Sequence, residues 1–175
     1  MGTTYTGDGG ITTANYDAVV MYTNSSQTGA AGLSTALTSY VNSGGNLISG
    51  VFLWNLYPSG FNHSGTTAFL TNAQSSNATG NFSATTASPI TNNAGSSVGS
   101  SAFTNGNPNL STSASTYAIY TSDSGKFIGV KQVGSAKLIS INTWFGNIST
   151  STATLTKLVG NSILYATGVA IPTSV

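Results

Sequence analysis

Residues 43–54 read SGGNLISGVFLW, a glycine pair followed by a run that is apolar almost throughout. A strand without polar alternation has to be covered on both faces, which is the situation of a strand inside a parallel sheet packed between helices. The residues before it fit that architecture. Leu33, Leu37, Tyr40 and Val41 recur at helical spacing with Ala36 on the same face, and Gly44 and Gly45 supply the stop. Further upstream, YDAVVMYT (16–23) is a short β-rich run that ends at the polar loop Asn24-Ser25-Ser26, and it reads as a buried strand. Strand, helix and strand over residues 15–56 make a βαβ unit, with a right-handed crossover expected.

Residues 57–115 carry a weaker signal. TTAFLTNA reads as one short helix, Pro89 and Pro108 act as breakers, and the rest is Ser, Thr, Asn and Gly. Phe82, Ile90, Val98 and Phe103 recur as apolar anchors, so this long polar region is expected to be ordered loop and short strands packed on the domain. The pattern sharpens over 116–168. STYAIYTS, KFIGVKQV and KLISINTW are strand candidates joined by turns at Asp123-Ser124-Gly125 and Gly134-Ser135, an antiparallel meander. A terminal helix then places Leu155, Leu158, Val159 and Ile163 on one face, with Ser149 to Ser151 as caps and Gly168 as its end. The 175 residues form one domain with enough apolar content, 39%, to build a core.

Charge is scarce: four Lys, three Asp, no Arg and no Glu, or 4% of the chain against about a quarter in ordinary soluble domains. The polar surface must be Ser, Thr, Asn and Gly. A net charge near zero does little to keep copies apart in solution, which points to a chain packed into an assembly or exposed outside the cell. Phosphate neutralisation needs several cations with Arg preferred, so nucleic acid is not an expected partner; Lys126, Lys131 and Lys137 read as solvated lysines on a hairpin. No apolar stretch approaches a membrane span. The start, MGTTYTGDGG, has neither the basic nor the apolar stretch of a leader, so an exported form is expected to have lost its signal or to leave with a particle. With no Cys there is no thiolate or disulfide chemistry, and one His with Asp8, Asp17 and Asp123 gives no metal-ligand spacing and no suitably placed carboxylate pair; no cofactor is expected. Six Asn-x-Ser/Thr sequons, at Asn24, Asn62, Asn77, Asn81, Asn109 and Asn147, are what so Ser- and Thr-rich a chain contains by chance.

The order of YDAVVMYTN, LSTALTSYVNSGGNLISGVF, ASPITNN, the strands through KLISINTWFGN and the helix LVGNSILYATG resembles the class I glutamine amidotransferase-like superfamily, in particular its ThuA-like (trehalose-utilisation-protein-like) branch. The resemblance spans most of residues 16–168. It implies a flavodoxin-like three-layer sandwich: a mostly parallel sheet between helices, with ligand groups at the carboxyl ends of the strands, antiparallel C-terminal strands and a terminal helix. In the glutaminase branch the strand after the glycine pair ends in a Gly-x-Cys elbow, with a later His as base. Here Gly50-Val51 is followed by Phe52, a degenerate nucleophile position, and the single His63 comes too early for the family's base. The N-terminal part is also shortened, because only MGTTYTGDGGITTAN stands where the family has a further strand and helix. The sheet is therefore expected to be smaller or completed by another element, and an uncapped apolar edge would invite another chain.

A scaffold with no recognisable catalytic group reads first as a non-catalytic structural domain of an extracellular or virion surface assembly, a decoration, fibre or filament component that associates with itself or with other subunits. The alternative is a carbohydrate-binding module. Asn24, Trp54, Tyr57, Phe61, His63, Trp144 and Phe145 follow the expected carboxyl ends of strands, where rings can stack on sugars and polar groups can hydrogen-bond them. On that reading's plain counterpart, Trp54 and Trp144 close the core. A second alternative is a ThuA-like sugar-active enzyme whose catalytic groups the sequence does not single out; turnover lost on changing His63 or Asp17 would favour it.

Overall fold

The computed structural model describes residues 10–22, 30–51, 53–54, 62–70, 80–86, 88–99, 107–145 and 152–172. In chain order the elements are β1 (Ala18–Met21), α1 (Ala30–Asn42), β2 (Asn46–Gly50), the one-turn helix α2 (His63–Thr66), β3 (Phe69–Leu70), β4 (Phe82–Ala84), a 3-10 turn (Pro89–Thr91), β5 (Asn109–Leu110), β6 (Ser115–Tyr120), β7 (Lys126–Val133), β8 (Ala136–Ile141) and α3 (Thr152–Thr167). Six strands form one sheet in the order β1-β2-β8-β7-β6-β4, and β3 pairs with β5 beside it. The chain is an α/β sandwich as expected. β1, β2 and β8 run parallel, while β7, β6 and β4 continue the sheet in antiparallel fashion.

Side-chain alternation on the strands sorts the core into two layers. Leu47 and Leu138 pack with Leu33, Leu37, Tyr40 and Val41 of α1, together with Trp54 and Phe69. Ile48, Ile139 and Ile141 face the other way, toward Leu158 and Ala166 of α3, with Ile90, Phe82, Tyr120 and Phe127 completing that layer. Phe82, Ile90 and Val98 are buried as the sequence anticipates, whereas Phe103 lies outside the described residues.

The YVNSGGN phrase acts as a unit. Gly44 takes the left-handed conformation that ends α1 (φ 95°), and a Cβ on Gly45 would lie 2.3 Å from the Tyr40 ring that crosses it. The Tyr40 hydroxyl donates to the Tyr16 carbonyl at 3.0 Å. Asn46, nearly buried, donates its Nδ2 to the Asp17 carbonyl at 2.9 Å and accepts the Lys137 amide on Oδ1 at 2.9 Å, so one side chain ties the entrances of β1, β2 and β8 together.

Two expectations are corrected. YDAVVMYT is not a buried strand: β1 is the edge of the sheet, and Val20 and Tyr22 are exposed because no described strand lies beyond it. The TTAFLTNA segment is not a helix over its described residues. The helical turn comes earlier, at His63–Thr66, and Phe69–Leu70 is a strand, with residues 71–73 outside the described ones. The reason is local hydroxyl chemistry. Asn62 Oδ1 caps the Gly65 amide at 2.9 Å, the Thr67 hydroxyl donates to the His63 carbonyl at 2.8 Å, and the Ala68 amide is taken by Ser140 Oγ at 2.9 Å, which leaves the helix nothing to propagate on.

Two glycines should respond oppositely to the same change. Gly45→Ala forces the Tyr40 ring or the backbone to move and should cost about 1–3 kcal/mol. Gly160→Ala, inside α3 with nothing within 4 Å of a new Cβ, should stabilise by about 0.5–1 kcal/mol through helix propensity. Urea denaturation of the two variants measures both signs.

Candidate functional site

The chain leaves β2 toward α2 and β3, on the α1 side of the sheet, and leaves β8 toward α3, on the other side. Exits in opposite directions mark the carboxyl ends of adjacent parallel strands as the place where an α/β sheet gathers ligand groups. The described residues there are Tyr22 after β1, Gly50 and Val51 at the end of β2, and Asn142, Thr143, Trp144 and Phe145 after β8.

Backbone pairing continues past the strand ends, because the Val51 amide donates to the Thr143 carbonyl at 3.1 Å; the chain then turns, with the Leu53 amide donating to the Gly50 carbonyl at 3.4 Å. Asn142 fixes the β8 side. Its amide donates to the Phe127 carbonyl at 2.7 Å, its Nδ2 donates to the Lys126 carbonyl at 2.9 Å, and its carbonyl accepts the buried Tyr120 hydroxyl. Burial, followed by the Asp123 charge, pushes the Tyr120 phenol well above its ordinary pKa, so it stays a neutral donor.

Consecutive residues then split across the sheet. Trp144, half-buried, packs on the α1 layer and Phe145 on the α3 layer. The Phe145 ring lies 5.7 Å from that of Tyr22, and both close over Gly50, where an added Cβ would be 3.1 Å from each side chain. Of the ligand-site candidates read from sequence, Trp144 and Phe145 therefore lie at these strand ends on opposite layers, Phe145 joined by Tyr22, which the sequence reading passed over. Its signal was the alternation of Val20 and Tyr22 in a run with no polar residue between Asp17 and Thr23.

The other candidates fall elsewhere. Trp54 is fully buried, edge-on to Phe69 at 5.3 Å, and serves the core. His63 is half-buried at the start of α2, where burial lowers its pKa. Asn24, Tyr57, Phe61 and the degenerate position Phe52 lie outside the described residues.

The lysines of the hairpin, expected to be solvated, also reach neighbouring segments. Lys126 Nζ donates to Asn107 Oδ1 at 2.8 Å, Lys131 Nζ to the Ser64 carbonyl, and Lys137 Nζ to the Tyr165 carbonyl at 2.9 Å while sitting 4.9 Å above the Tyr165 ring. Lys137 thus neutralises the carbonyl end of α3, a favourable place for a cation. Asp123 Oδ1 accepts the Gly125 amide at 2.8 Å and shapes the β6–β7 turn. Sparse ionisable groups are tying segments together.

Among the described residues no cluster of His, Asp or Glu is placed to hold a metal, and no helix is long and apolar enough to cross a membrane. The strand ends offer the aromatic faces of Tyr22, Trp144 and Phe145, while Asn142 and Thr143 are buried. A scan of protein-family models and a search of curated proteins each find no match to this chain.

The His63 shift sets a pH dependence. Its folded pKa lies below the ordinary value of about 6.5, so within that window the unfolded chain binds a proton that the folded chain refuses. Stability should be full above about pH 6.5 and decline as the pH falls through it, and His63→Gln should flatten this part of the profile. Thermal melts between neutral and mildly acidic pH read the difference.

Proposed function

We propose that this chain is a non-catalytic structural domain of an extracellular or virion surface assembly, built on a ThuA-like framework whose nucleophile position holds Phe52. The observation that carries the proposal is how three of the few charged groups are used: Lys126, Lys131 and Lys137 each bind a neighbouring segment of the same chain. What remains outward is a Ser, Thr, Asn and Gly surface with few charges, Asp17, Asp123 and Lys157 among the described residues, and so with little to oppose close packing of copies. Such a domain works through its shape and surface.

A second reading has its own support. Tyr22 is 52% exposed and leans on Phe145 at the strand ends, with Trp144 half-buried on the opposite layer, and such aromatic faces can stack on sugar rings. On this reading the domain recognises glycans of the surface to which its assembly attaches.

Light scattering across a concentration series tests the first reading: a mass rising above the 17.6 kDa monomer is expected, and a strictly monomeric chain at every concentration defeats it. Glycan-array binding that disappears in Trp144→Ala and Phe145→Ala, with the fold retained by circular dichroism, would establish the second. Binding unaffected by both would remove the strand-end aromatics from consideration.

A further inference from the structure

The chain has no cysteine and eight tyrosines, so a disulfide cannot staple it, whereas coupled phenols can. Tyr40 and Tyr120 are buried, and each donates its hydroxyl to a backbone carbonyl, that of Tyr16 and that of Asn142. Tyr117 and Tyr165 are arranged otherwise. Their hydroxyl oxygens lie 3.3 Å apart, one phenol donating to the other, with the ring centres 6.3 Å apart and the ring planes at 64°. Both residues are half-buried, so the pair is held in place and still open to small molecules.

Local structure builds the pair from both sides. The register of β6 with β7 passes from Thr116 opposite Gly129 to Ala118 opposite Ile128, which leaves Tyr117 as the extra residue of a bulge. Ordinary alternation would put Tyr117 on the face opposite Ala118, but here both meet the α3 layer. On α3, Tyr165 stands about two turns beyond the core residue Leu158. Lys137 fixes it there, donating to its carbonyl at 2.9 Å with Nζ 4.9 Å above its ring. The hydrogen bond with Tyr117, and burial after it, hold the Tyr165 phenol up at a pKa of about 12.

We propose that Tyr117 and Tyr165 are the site of an intrachain dityrosine link, formed when a haem peroxidase with hydrogen peroxide acts on the protein, that staples β6 to α3. Each phenol gives up one electron and one proton, and the two phenoxyl radicals join through the ring carbons next to their oxygens. The hydrogens on those carbons then move to the oxygens, which restores both phenols. The two electrons and two protons reduce one peroxide to two waters, so the chain loses two hydrogen atoms and nothing else. The coupled product keeps its hydroxyls side by side and its rings twisted, as the pair already holds them; only the ring edges have to close. Because each phenol loses its proton with its electron, no new charge develops beside Lys137. The inference stands on the geometry of this pair and is independent of the assembly reading.

Treating the dilute protein with a haem peroxidase and hydrogen peroxide tests it, read by dityrosine fluorescence, intact mass and peptide mapping of the monomer. The monomer should fluoresce, lose the mass of two hydrogen atoms and yield a linked peptide pair joining Tyr117 to Tyr165. Since the linked residues are 48 apart in sequence, closing that loop should raise the melting temperature of the linked monomer by more than about 5 °C. Tyr117→Phe and Tyr165→Phe, which keep both rings, should each abolish the linked monomer, whereas Tyr16→Phe with Tyr22→Phe should leave it; circular dichroism checks that every variant folds. Dityrosine found only between molecules, a linked monomer that maps to other tyrosines, or one that survives either single Phe variant overturns the site. So does an unlinked monomer under conditions that couple free tyrosine in a parallel tube. A linked monomer with an unchanged melting temperature overturns the staple.

Discussion

Everything in this domain is organised around one short buried strand. All five residues of β2 are buried, between β1 on one side and β8 on the other, with α1 above and α3 below. A strand in that position must satisfy its polar groups within the protein, since an unpaired buried amide or carbonyl costs about 1–3 kcal/mol. Asn46 at its entrance does this for the side chains by holding both neighbours at once. The candidate site lies at the other end, where the chain leaves β2 and β8 toward opposite faces, so core and candidate site are two consequences of one placement.

The long polar region is held to this core mostly through hydroxyls. Ser34 Oγ accepts the Asn62 amide at 2.8 Å, Ser111 Oγ donates to the Thr67 carbonyl at 3.1 Å, and Asn161 Nδ2 reaches from α3 to the Ile90 and Asn92 carbonyls. Phe69 presses on Gly129, where a Cβ would be 2.6 Å from its ring. A Ser- and Thr-rich composition, which usually signals open loop, here provides many small donors and acceptors that secure irregular backbone at little entropic cost.

Legibility in the sequence followed the strength of periodic patterns. The βαβ unit, the meander and the terminal helix each carry several apolar residues at one period, and all three formed. The edge status of β1 was hidden because Val19 and Val20 look alike in sequence although one is partly buried and the other exposed. α2 and β3 were missed because Thr66, Thr67 and Ala68 are directed by contacts with Asn62 and Ser140, the latter 72 residues away. At the candidate site, Trp144 and Phe145 were readable as residues following a strand. Trp54 obeyed the same rule yet was drawn into the core beside Phe69, and Tyr22 needed the knowledge that the strand it follows has no outer neighbour among the described residues.

Ser49 and Ser140 occupy the middle of a buried layer, their Oγ atoms 2.9 Å apart across adjacent parallel strands and both fully covered. Apolar side chains there would pack equally well in more than one alignment. Were β8 to slip by two residues, Leu138 or Asn142 would face Ser49 and a hydroxyl would be stranded in an apolar layer. The serine pair is thus a key that admits a single alignment of strands that hydrophobicity alone would leave free to slide. In a chain with so little charge to discriminate right from wrong neighbours, that selectivity has been placed inside the sheet, where each molecule proofreads its own assembly.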